Sequence, residues 1–294
     1  MKQKILLILV LLLPTMLWAQ WTNEYGTWIS VGAKKNLGTR WSLGLEAEHR
    51  AQEESRWAVG LDAGFKLNKN VKLGVGYTLL YSWKPGKYTD KSKGDPEVDD
   101  YYKIGYNLTK AYYYPRHRFI AEISADKKFW KWLRISLRER YQLTYRPAQT
   151  ITNAKYKYRE EHLMKIVDFD FDEDFNLIPI MEEEITSSES YEDKEVDSKT
   201  TQMLRTRLKF EVDKKKWKFS PYLSVEACNS AHVGDFLQID KVRTSVGTSY
   251  KLDKHNEFTL GYILTFVFND DEEGDEIIYN NRIHAVSVGY NYKF

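Results

Sequence analysis

The stretch VRTSVGTSYKLDKHNEFTLGY, residues 242–262, contains two alternating segments joined by the short turn LDKHN. Val242 and Val246 alternate with charged, small or polar residues, and Phe258 and Leu260 continue the pattern after the turn. A period of two places successive side chains on opposite faces of a β-strand. The stretch therefore predicts an antiparallel hairpin with one apolar face and one polar face.

Segments with the same alternation account for most of the chain, whereas the spacing of an amphipathic helix is almost absent. Val59 and Leu61, for example, alternate with Gly60 and Asp62. We predict eleven strands, at residues 25–34, 39–50, 56–67, 71–83, 116–128, 131–146, 201–213, 216–228, 239–252, 257–269 and 282–294. The predicted fold class is therefore all-β.

The connections between these strands alternate between short and long. KNLG, LNKN, KFWKW, DKKK and LDKHN are tight turns, AQEES is a short loop, and residues 84–115, 147–200, 229–238 and 270–281 are long polar loops. Tight turns at one end and long loops at the other are typical of a transmembrane antiparallel up-and-down β-barrel. We therefore predict a single barrel domain over residues 20–294 with about 10–12 strands.

Aromatic side chains collect at the ends of the predicted strands. Trp41, Trp130, Trp132, Trp217, Phe219, Tyr250 and Phe258 lie beside tight turns, and Tyr81, Trp83, Tyr145, Phe266 and Phe268 lie near long loops. Two aromatic girdles are typical of the two membrane interfaces of an outer-membrane barrel. A soluble β-sandwich is the alternative, but its strands usually have about 5–6 residues and its aromatic residues need not collect at strand ends.

The chain ends in SVGYNYKF, where Val288, Tyr290, Tyr292 and Phe294 continue an outward, apolar row. A barrel removes its sheet edges only if its last strand pairs along its length. The terminal Phe294 resembles the C-terminal signature of bacterial outer-membrane barrels, which implies that the barrel assembly machinery and periplasmic chaperones are partners. A periplasmic Phe294 would place the tight turns in the periplasm and the long loops outside.

An odd number of strands does not fit two periplasmic chain ends, which need an even number. Either residues 20–28 climb through the lumen, or Tyr25–Lys34 is not a full strand, or one strand is missing from the predicted set. Ten or twelve strands are therefore expected.

The N-terminus has the features of an export signal. Lys2 and Lys4 precede an almost wholly apolar run, Ile5–Leu17, and Ala19 supplies a small residue at the cleavage position. We expect residues 1–19 to be removed as a signal peptide and the mature chain to reach the outer membrane of a Gram-negative bacterium. The alternative is an uncleaved anchor helix, although the run is short for a membrane span of about 20 residues.

Charge and cysteine content exclude several classes of function. Removal of Lys2 and Lys4 lowers the 44 basic residues to 42, equal to the 42 acidic residues. The basic excess of a nucleic-acid-binding protein is therefore absent. Cys228 is the only cysteine, which excludes an internal disulfide framework and a cysteine-rich metal site. No cofactor is predicted.

Charged side chains occupy the inward rows of the predicted strands. A basic wall is predicted from Arg134, Arg138, Arg140, Arg205, Arg207 and Arg243, and an acidic wall from Glu46, Glu48, Asp62, Glu122 and Glu226. Strands ~4.8 Å apart and tilted ~40° give a barrel of this size a diameter of roughly 20 Å, which side chains narrow further. Either the basic wall passes small anionic solutes, or the two walls pair and plug the lumen. We predict a narrow or plugged barrel.

The acidic outer segments suggest an alternative function, a structural or adhesive surface barrel. Asp168, Asp170, Asp172 and Asp174 form one run, and NDDEEGDE at residues 269–276 forms another. Spaced carboxylates suit calcium, but the helix–loop–helix calcium pattern needs a glycine where Glu173 or Phe175 stands. We therefore predict a solvated acidic loop and no metal site. Lipopolysaccharide and outer-membrane lipid are the expected partners at this end.

A membrane-embedded lipid-modifying enzyme is a further alternative, because some outer-membrane barrels use Ser and His for catalysis. None of the six histidines accompanies a nucleophile motif such as Gly-x-Ser-x-Gly. We therefore predict that the protein is not an enzyme.

Five stretches carry a resemblance to a known family: YGTWISVGAKKNLGTRWSLGLEAEHR, YPRHRF, SPYLSVEA, VRTSVGTSYKLDKHNEFTLGY and SVGYNYKF. They resemble the exported barrel family known as domain of unknown function 2490, found mainly in Bacteroidetes-type bacteria. The resemblance covers nearly all of the mature chain. It implies an outer-membrane location and a barrel, but little about activity, and the segment 147–200 departs from the family pattern.

Overall fold

The computed structural model describes residues 21–94, 102–172, 175–214, 217–231, 239–268 and 280–294. Its strands are β1 (Trp21–Leu37), β2 (Trp41–Ala51), β3 (Arg56–Lys66), β4 (Val71–Lys84), β5 (Lys87–Lys93), β6 (Tyr102–Thr109), β7 (Tyr112–Phe129), β8 (Leu133–Arg146), β9 (Gln149–Phe171), β10 (Leu177–Val196), β11 (Lys199–Val212), β12 (Phe219–Ser230), β13 (Ile239–Lys251), β14 (Asn256–Val267) and β15 (Asn280–Lys293). Across the described ranges, no helix is long and apolar enough to span a membrane.

The chain divides into two compact units. The barrel unit comprises the residues up to Ser82, Pro115–Arg146 and Thr200–Phe294, and the sheet unit comprises Trp83–Tyr114 and Pro147–Lys199. The barrel is closed, with the strand order β1-β15-β14-β13-β12-β11-β8-β7-β4-β3-β2. The sheet has the order β10-β9-β6-β5. The predicted fold class, an all-β closed barrel, is confirmed.

Each of the eleven predicted strands corresponds to one strand of the barrel. The predicted segment 71–83 is β4, which ends at Lys84, and the predicted segment 239–252 is β13, which ends at Lys251. The largest extension is at β1, which spans Trp21–Leu37 rather than residues 25–34. The alternation of apolar and polar residues therefore locates these strands to within a few residues.

Local hydrogen bonds and backbone conformation explain the tight turns. In the turn between β13 and β14, the carboxylate of Asp253 accepts hydrogen bonds from the backbone N–H groups of His255 and Asn256, both at 2.7 Å. An Asp side chain that bonds to the backbone two or three residues ahead stabilises a turn. In the turn between β1 and β2, Gly38 has a φ of 69°, which glycine adopts without steric cost. Both turns reverse the chain within a few residues.

The barrel is apolar outside and polar inside. Leu61 and Leu260, on outward rows, are 61% and 57% exposed, whereas Gln142, Ser224 and Glu226, on inward rows, are buried. Soluble globular proteins have the opposite distribution, with large apolar side chains buried and charged ones at the surface. The outer surface of this barrel therefore suits an apolar environment better than water.

Exposed aromatic side chains lie at both ends of the barrel. At the tight-turn end, Trp41 packs beside Phe65 with their ring centroids 4.7 Å apart. At the opposite end, Tyr81 and Phe268 are exposed, whereas the predicted girdle residue Trp83 belongs to the sheet unit. The barrel thus has aromatic side chains at the two levels where the sequence predicts them.

The barrel closes through a parallel pair of strands, β1 and β15. Trp21 pairs with Asn280 at one end of this seam, and Lys34 pairs with Lys293 at the other. Antiparallel neighbours reverse direction at every step, so an odd number of strands closes only if one pair is parallel. The β1 and β15 pair therefore allows eleven strands, unlike the even number typical of bacterial single-chain outer-membrane barrels.

The expectation of an even strand number is wrong, and so are the three explanations offered for the odd count. Residues 21–28 belong to β1 and do not climb through the lumen. Tyr25–Lys34 lies within a full strand, and the eleven strands close without a further one. Because of the parallel seam, β1 begins at the end of the barrel opposite to Phe294.

The segments predicted as long polar loops, 84–115 and 147–200, contain the four strands of the sheet unit. β9 and β10 form a long hairpin, in which Gln149 pairs with Val196 and Phe171 pairs with Leu177. β6 pairs with β9 only as far as Arg159. Beyond this point the hairpin is a two-stranded ribbon with most side chains exposed.

Surface contacts support the sheet unit. The rings of Tyr106 and Tyr158 stack with their centroids 5.4 Å apart. Lys103 forms an ion pair with Asp90 at 2.5 Å, and this hydrogen bond lowers the pKa of Asp90. The hydroxyl of Tyr158 donates to Glu160 at 2.6 Å, and this bond raises the pKa of Tyr158. Aromatic stacking and an ion pair thus connect neighbouring strands of the sheet.

Candidate functional site in the barrel lumen

The inward rows carry all eleven charged residues predicted to line the lumen. Glu46 and Glu48 lie on β2, Asp62 on β3, Glu122 on β7, Arg134, Arg138 and Arg140 on β8, Arg205 and Arg207 on β11, Glu226 on β12 and Arg243 on β13. In these strands they alternate with exposed apolar side chains such as Leu45, Leu137 and Leu208. Strand alternation thus places these charges inside the barrel.

Glu226 is the centre of an arginine cluster. Its carboxylate accepts hydrogen bonds from Arg138 at 2.9 Å and from Arg243 at 3.2 Å, and it also forms an ion pair with Arg205. The Glu226 side chain is only 4% exposed. A buried charge is stable only when oppositely charged or polar partners replace water. The cluster therefore links β8, β11, β12 and β13 through one carboxylate.

Two further carboxylates of the lumen have arginine partners. Glu48 forms ion pairs with Arg50 at 2.7 Å and with Arg56 at 3.3 Å. Glu122 accepts from Arg140 at 2.6 Å. Arginines thus lie on β2 and β3 beside the predicted acidic wall, and a glutamate lies on β12 among the predicted basic residues. Positive and negative side chains interleave instead of forming two separate walls.

Trp28, an aromatic residue on the inward row of β1, is buried inside the barrel. The guanidinium of Arg50 lies 3.6 Å from the centroid of the Trp28 ring, and that of Arg243 lies 4.8 Å from it. Trp28 also belongs to a buried apolar cluster with Ile263 and Ala285. Arginine over an aromatic face is attractive, so these side chains pack against one another inside the barrel, and we call them the Trp28 layer.

A cavity of about 790 Å³ occupies the part of the lumen lined by β1–β4, β7, β8, β11 and the end of β15. It includes Lys34, Lys66 and Lys293 near the tight-turn end. Ten Lys and Arg side chains line it but only four Asp and Glu side chains, so the lining has an excess of six positive charges. A cleft lined by one sign of charge raises the local concentration of ions of the opposite sign. The cavity therefore favours anions.

Of the remaining predicted lumen residues, one has an ion-pair partner and three have none among the described residues. Arg134 pairs with Asp213 at 2.7 Å, at the tight-turn end. Glu46 and Asp62 line the cavity, and within the described ranges neither forms an ion pair at 4.0 Å or less. Arg207 also lines the cavity, and the described residues offer it neither an ion pair nor a hydrogen bond. Charge compensation in the lumen is therefore uneven.

Sequence reasoning left several residues of the lumen out of the candidate site. Arg50 continues the inward row of Glu46 and Glu48, and Arg118 lies on the inward row of β7, so alternation alone could have found both. Gln142 occupies the same inward row as Arg140 and could have been found in the same way. Trp28 could not be found in this way, because the alternation predicts polar side chains on inward rows and gives no reason to expect an aromatic one there.

The C-terminal residue has the placement that the sequence predicts for an outward side chain. Phe294 is 66% exposed, and its backbone N–H donates to the carbonyl of Lys34 at 2.9 Å. Its ring packs edge-on against Tyr292, with the centroids 4.9 Å apart. The chain end is therefore held on β1 while its aromatic ring remains available on the outer surface.

The candidate calcium loop does not assemble a ligand set among the described residues. Asp168 and Asp170 lie on β9, and each accepts a hydrogen bond from the backbone N–H of the next residue. Asp172 accepts from Asn176. Asp174 and the run NDDEEGDE lie outside the described residues. No group of three or more potential metal ligands occurs in the part of the chain that the structure describes.

The fold and the lumen together define a closed, eleven-stranded β-barrel with an ion-paired interior and a cationic cavity. The chain belongs to the family described as "Protein of unknown function (DUF2490)", whose model matches residues 25–276. The resemblance found in the sequence is thus confirmed at the level of the family. No curated protein matches the chain in sequence.

Proposed function

We propose that this protein is a membrane-spanning barrel of the bacterial outer membrane. One observation carries the proposal: large apolar side chains are exposed on the outward rows while charged and polar side chains are buried on the inward rows. In lipid, every backbone polar group needs a partner within the protein, and a closed barrel provides one. The parallel seam meets this requirement as well as an antiparallel one, because it leaves no open edge.

The proposal includes a location and an orientation. Residues 1–19 act as a cleaved export signal, the tight turns face the periplasm, and lipid and lipopolysaccharide surround the barrel. Phe294 contributes the signal that the assembly machinery recognises, supported by its exposed ring at the end of a paired strand.

Fractionation of a Gram-negative host that expresses the full chain tests this proposal. The protein is expected in the outer-membrane fraction, with faster gel migration before boiling than after it, because a closed barrel resists detergent until heated. Deletion of Phe294 is expected to lower the yield of folded barrel several-fold, whereas Lys293→Ala, which affects an inward position, has a smaller effect. Recovery as a soluble periplasmic monomer would contradict the membrane proposal, and equal yields of all variants would contradict the role of Phe294.

We further propose that the lumen is a narrow path for small anionic solutes. Two observations support this path: the cavity lining has an excess of positive charge, and the cavity extends toward the tight-turn end of the barrel. The Trp28 layer restricts the path, so that flux through it is small. This function involves no catalytic step.

Single-channel recording in planar bilayers tests the path. We expect a small, anion-selective conductance. Arg207→Gln should lower the anion selectivity of the reversal potential and should lower the melting temperature less than Arg138→Gln does, because no ion pair is lost. Arg138→Gln serves as the matched comparison, since it breaks the ion pair with Glu226. A complete lack of conductance, or cation selectivity of the unmodified barrel, would contradict an anion path and favour a plugged lumen.

The alternative of an adhesive surface barrel has weaker support. Its acidic residues Asp168, Asp170 and Asp172 accept hydrogen bonds from the backbone of their own hairpin. These carboxylates therefore have a role in the hairpin itself and need no external partner. The exposed side chains of Phe169 and Phe171 on the same hairpin are the better candidates for contacts with a surface.

A further inference from the structure

Four buried hydrogen-bond donors lie on two neighbouring strands of the barrel wall. They are Nε of Arg138, Nε2 of Gln142, Nε of Arg205 and Nε of Arg207, and none has an acceptor among the described residues. All four side chains line the cavity. We call this set the donor cluster. Because a buried donor without an acceptor is costly, the cluster requires an explanation.

The nearby acceptors are already engaged. Glu226 accepts from Arg138, Arg205 and Arg243, and Glu122 accepts from Arg140. The amide oxygen of Gln142 accepts from Arg205 at 3.4 Å, which turns its NH₂ group away from that partner. The lumen therefore offers more donors than acceptors beside β8 and β11.

We propose that the donor cluster binds a small oxyanion that enters the cavity. An oxyanion carries several acceptor oxygens and a negative charge, and it would supply acceptors for the donors that Glu226 and Glu122 leave unpaired. Arginine guanidinium groups present fixed forks of N–H donors that match the oxygens of phosphate, sulfate or carboxylate. A cation is disfavoured because the cavity lining already has an excess of six positive charges.

This inference names the ligand class for the anion path, and it rests on the proposed function only for access to the cavity. The source of the oxyanion is either a free ion or the phosphate of a lipid headgroup. Both share the same chemistry, and the test separates them.

Thermal unfolding of the full barrel in a neutral detergent tests the site with inorganic phosphate as the probe. At a phosphate concentration about 100-fold above the dissociation constant, a bound ion is expected to raise the melting temperature by roughly 5 °C relative to sodium chloride of equal ionic strength. The rise should saturate. Arg207→Gln should abolish it, whereas Arg134→Gln, which removes a lumen arginine outside the donor cluster, should retain it. An unsaturable rise, or an equal rise in Arg207→Gln, would overturn the proposal.

A second variant protects the test against loss of folding in Arg207→Gln. Gln142→Glu places a permanent carboxylate within the donor cluster at almost unchanged volume. It should raise the melting temperature without phosphate and remove the response to phosphate. A lower melting temperature of Gln142→Glu together with an unchanged phosphate response would refute the site.

Two additional measurements identify the source of the oxyanion and test the binding site separately from the channel. Saturable stabilisation by free phosphate in detergent assigns a soluble ion. Stabilisation only in phosphatidylglycerol vesicles, and not in phosphatidylcholine vesicles, assigns a lipid headgroup. Stabilisation without conductance retains the site and rejects the path, whereas conductance without any saturable stabilisation retains the path and rejects the site.

Discussion

Replacing Glu226 with glutamine is expected to lower the free energy of unfolding of the barrel by about 3–5 kcal/mol. The substitution keeps the shape of the side chain but removes the carboxylate that pairs with Arg138, Arg205 and Arg243. Three guanidinium groups then remain close together in a largely buried layer. Since net stabilities of folded proteins are about 5–15 kcal/mol, the loss is a large part of the total.

Urea titration of the refolded barrel, followed by tryptophan fluorescence, measures this effect. Glu257→Gln is the matched control, because Glu257 also pairs with a cation, Lys293, but at the tight-turn end where the Lys293 side chain is 49% exposed. Its cost should stay below about 1 kcal/mol. Equal costs for the two variants would show that the Glu226 cluster has no special role in stability.

Introducing arginine at Leu61 is the second change with a large expected effect. Leu61 lies near the middle of β3 on an outward row and is 61% exposed. In a bilayer this position contacts acyl chains, and an arginine at the bilayer midplane costs about 2–4 kcal/mol. In water the same substitution at an exposed site would change stability by only about 0.5 kcal/mol in either direction.

Folding into lipid vesicles distinguishes the two environments. Leu61→Arg should lower both the stability in vesicles and the amount recovered in the outer membrane. Thr39→Arg, in the tight turn between β1 and β2, is the control, because the cost of a charge falls to about 0–1 kcal/mol near the membrane interface. If Leu61→Arg were as well tolerated as Thr39→Arg, the outer surface of the barrel would not face lipid.

The barrel strands were predictable because each one has a consistent inward and outward row. Every strand separates two environments, so the pattern of Leu61 against Gly60 and Asp62 repeats in each segment without reference to its neighbours. The identity of the closing pair is not a local property. The pattern of β1 would be the same whether β15 ran parallel or antiparallel to it. The expectation of an even strand number assumed that both chain ends lie at the same end of the barrel, and the parallel seam removes that assumption.

The sheet unit was missed although part of its signal was present. Val167, Phe169 and Phe171 alternate with Asp168 and Asp170, a period-two pattern that here marks β9. The sequence instead presents the aspartates as a candidate calcium loop and predicts a solvated acidic loop. Much of β10 lacks such a pattern, because nearly all of its side chains are exposed and no buried face selects apolar residues.

The candidate site was predictable in its residues but not in its connections. Inward rows identify Arg138, Arg205 and Glu226 from alternation alone. Which guanidinium reaches which carboxylate depends on strand order and register, and Arg138 contacts Glu226 although β8 and β12 are separated by β11. The position of Trp28 among arginines depends on the same long-range geometry.

The seam joins the first and last strands of the barrel, β1 and β15, which are far apart in the sequence. Each antiparallel pair between consecutive strands can form as soon as a hairpin is complete, whereas β1 must wait for β15, about 260 residues later in the chain, before closure. Until then the growing sheet has two open edges, and in a lipid environment their N–H and C=O groups lack partners. We therefore expect the seam to be the last pairing to form, and until then both edges of the sheet remain open to pairing with another strand.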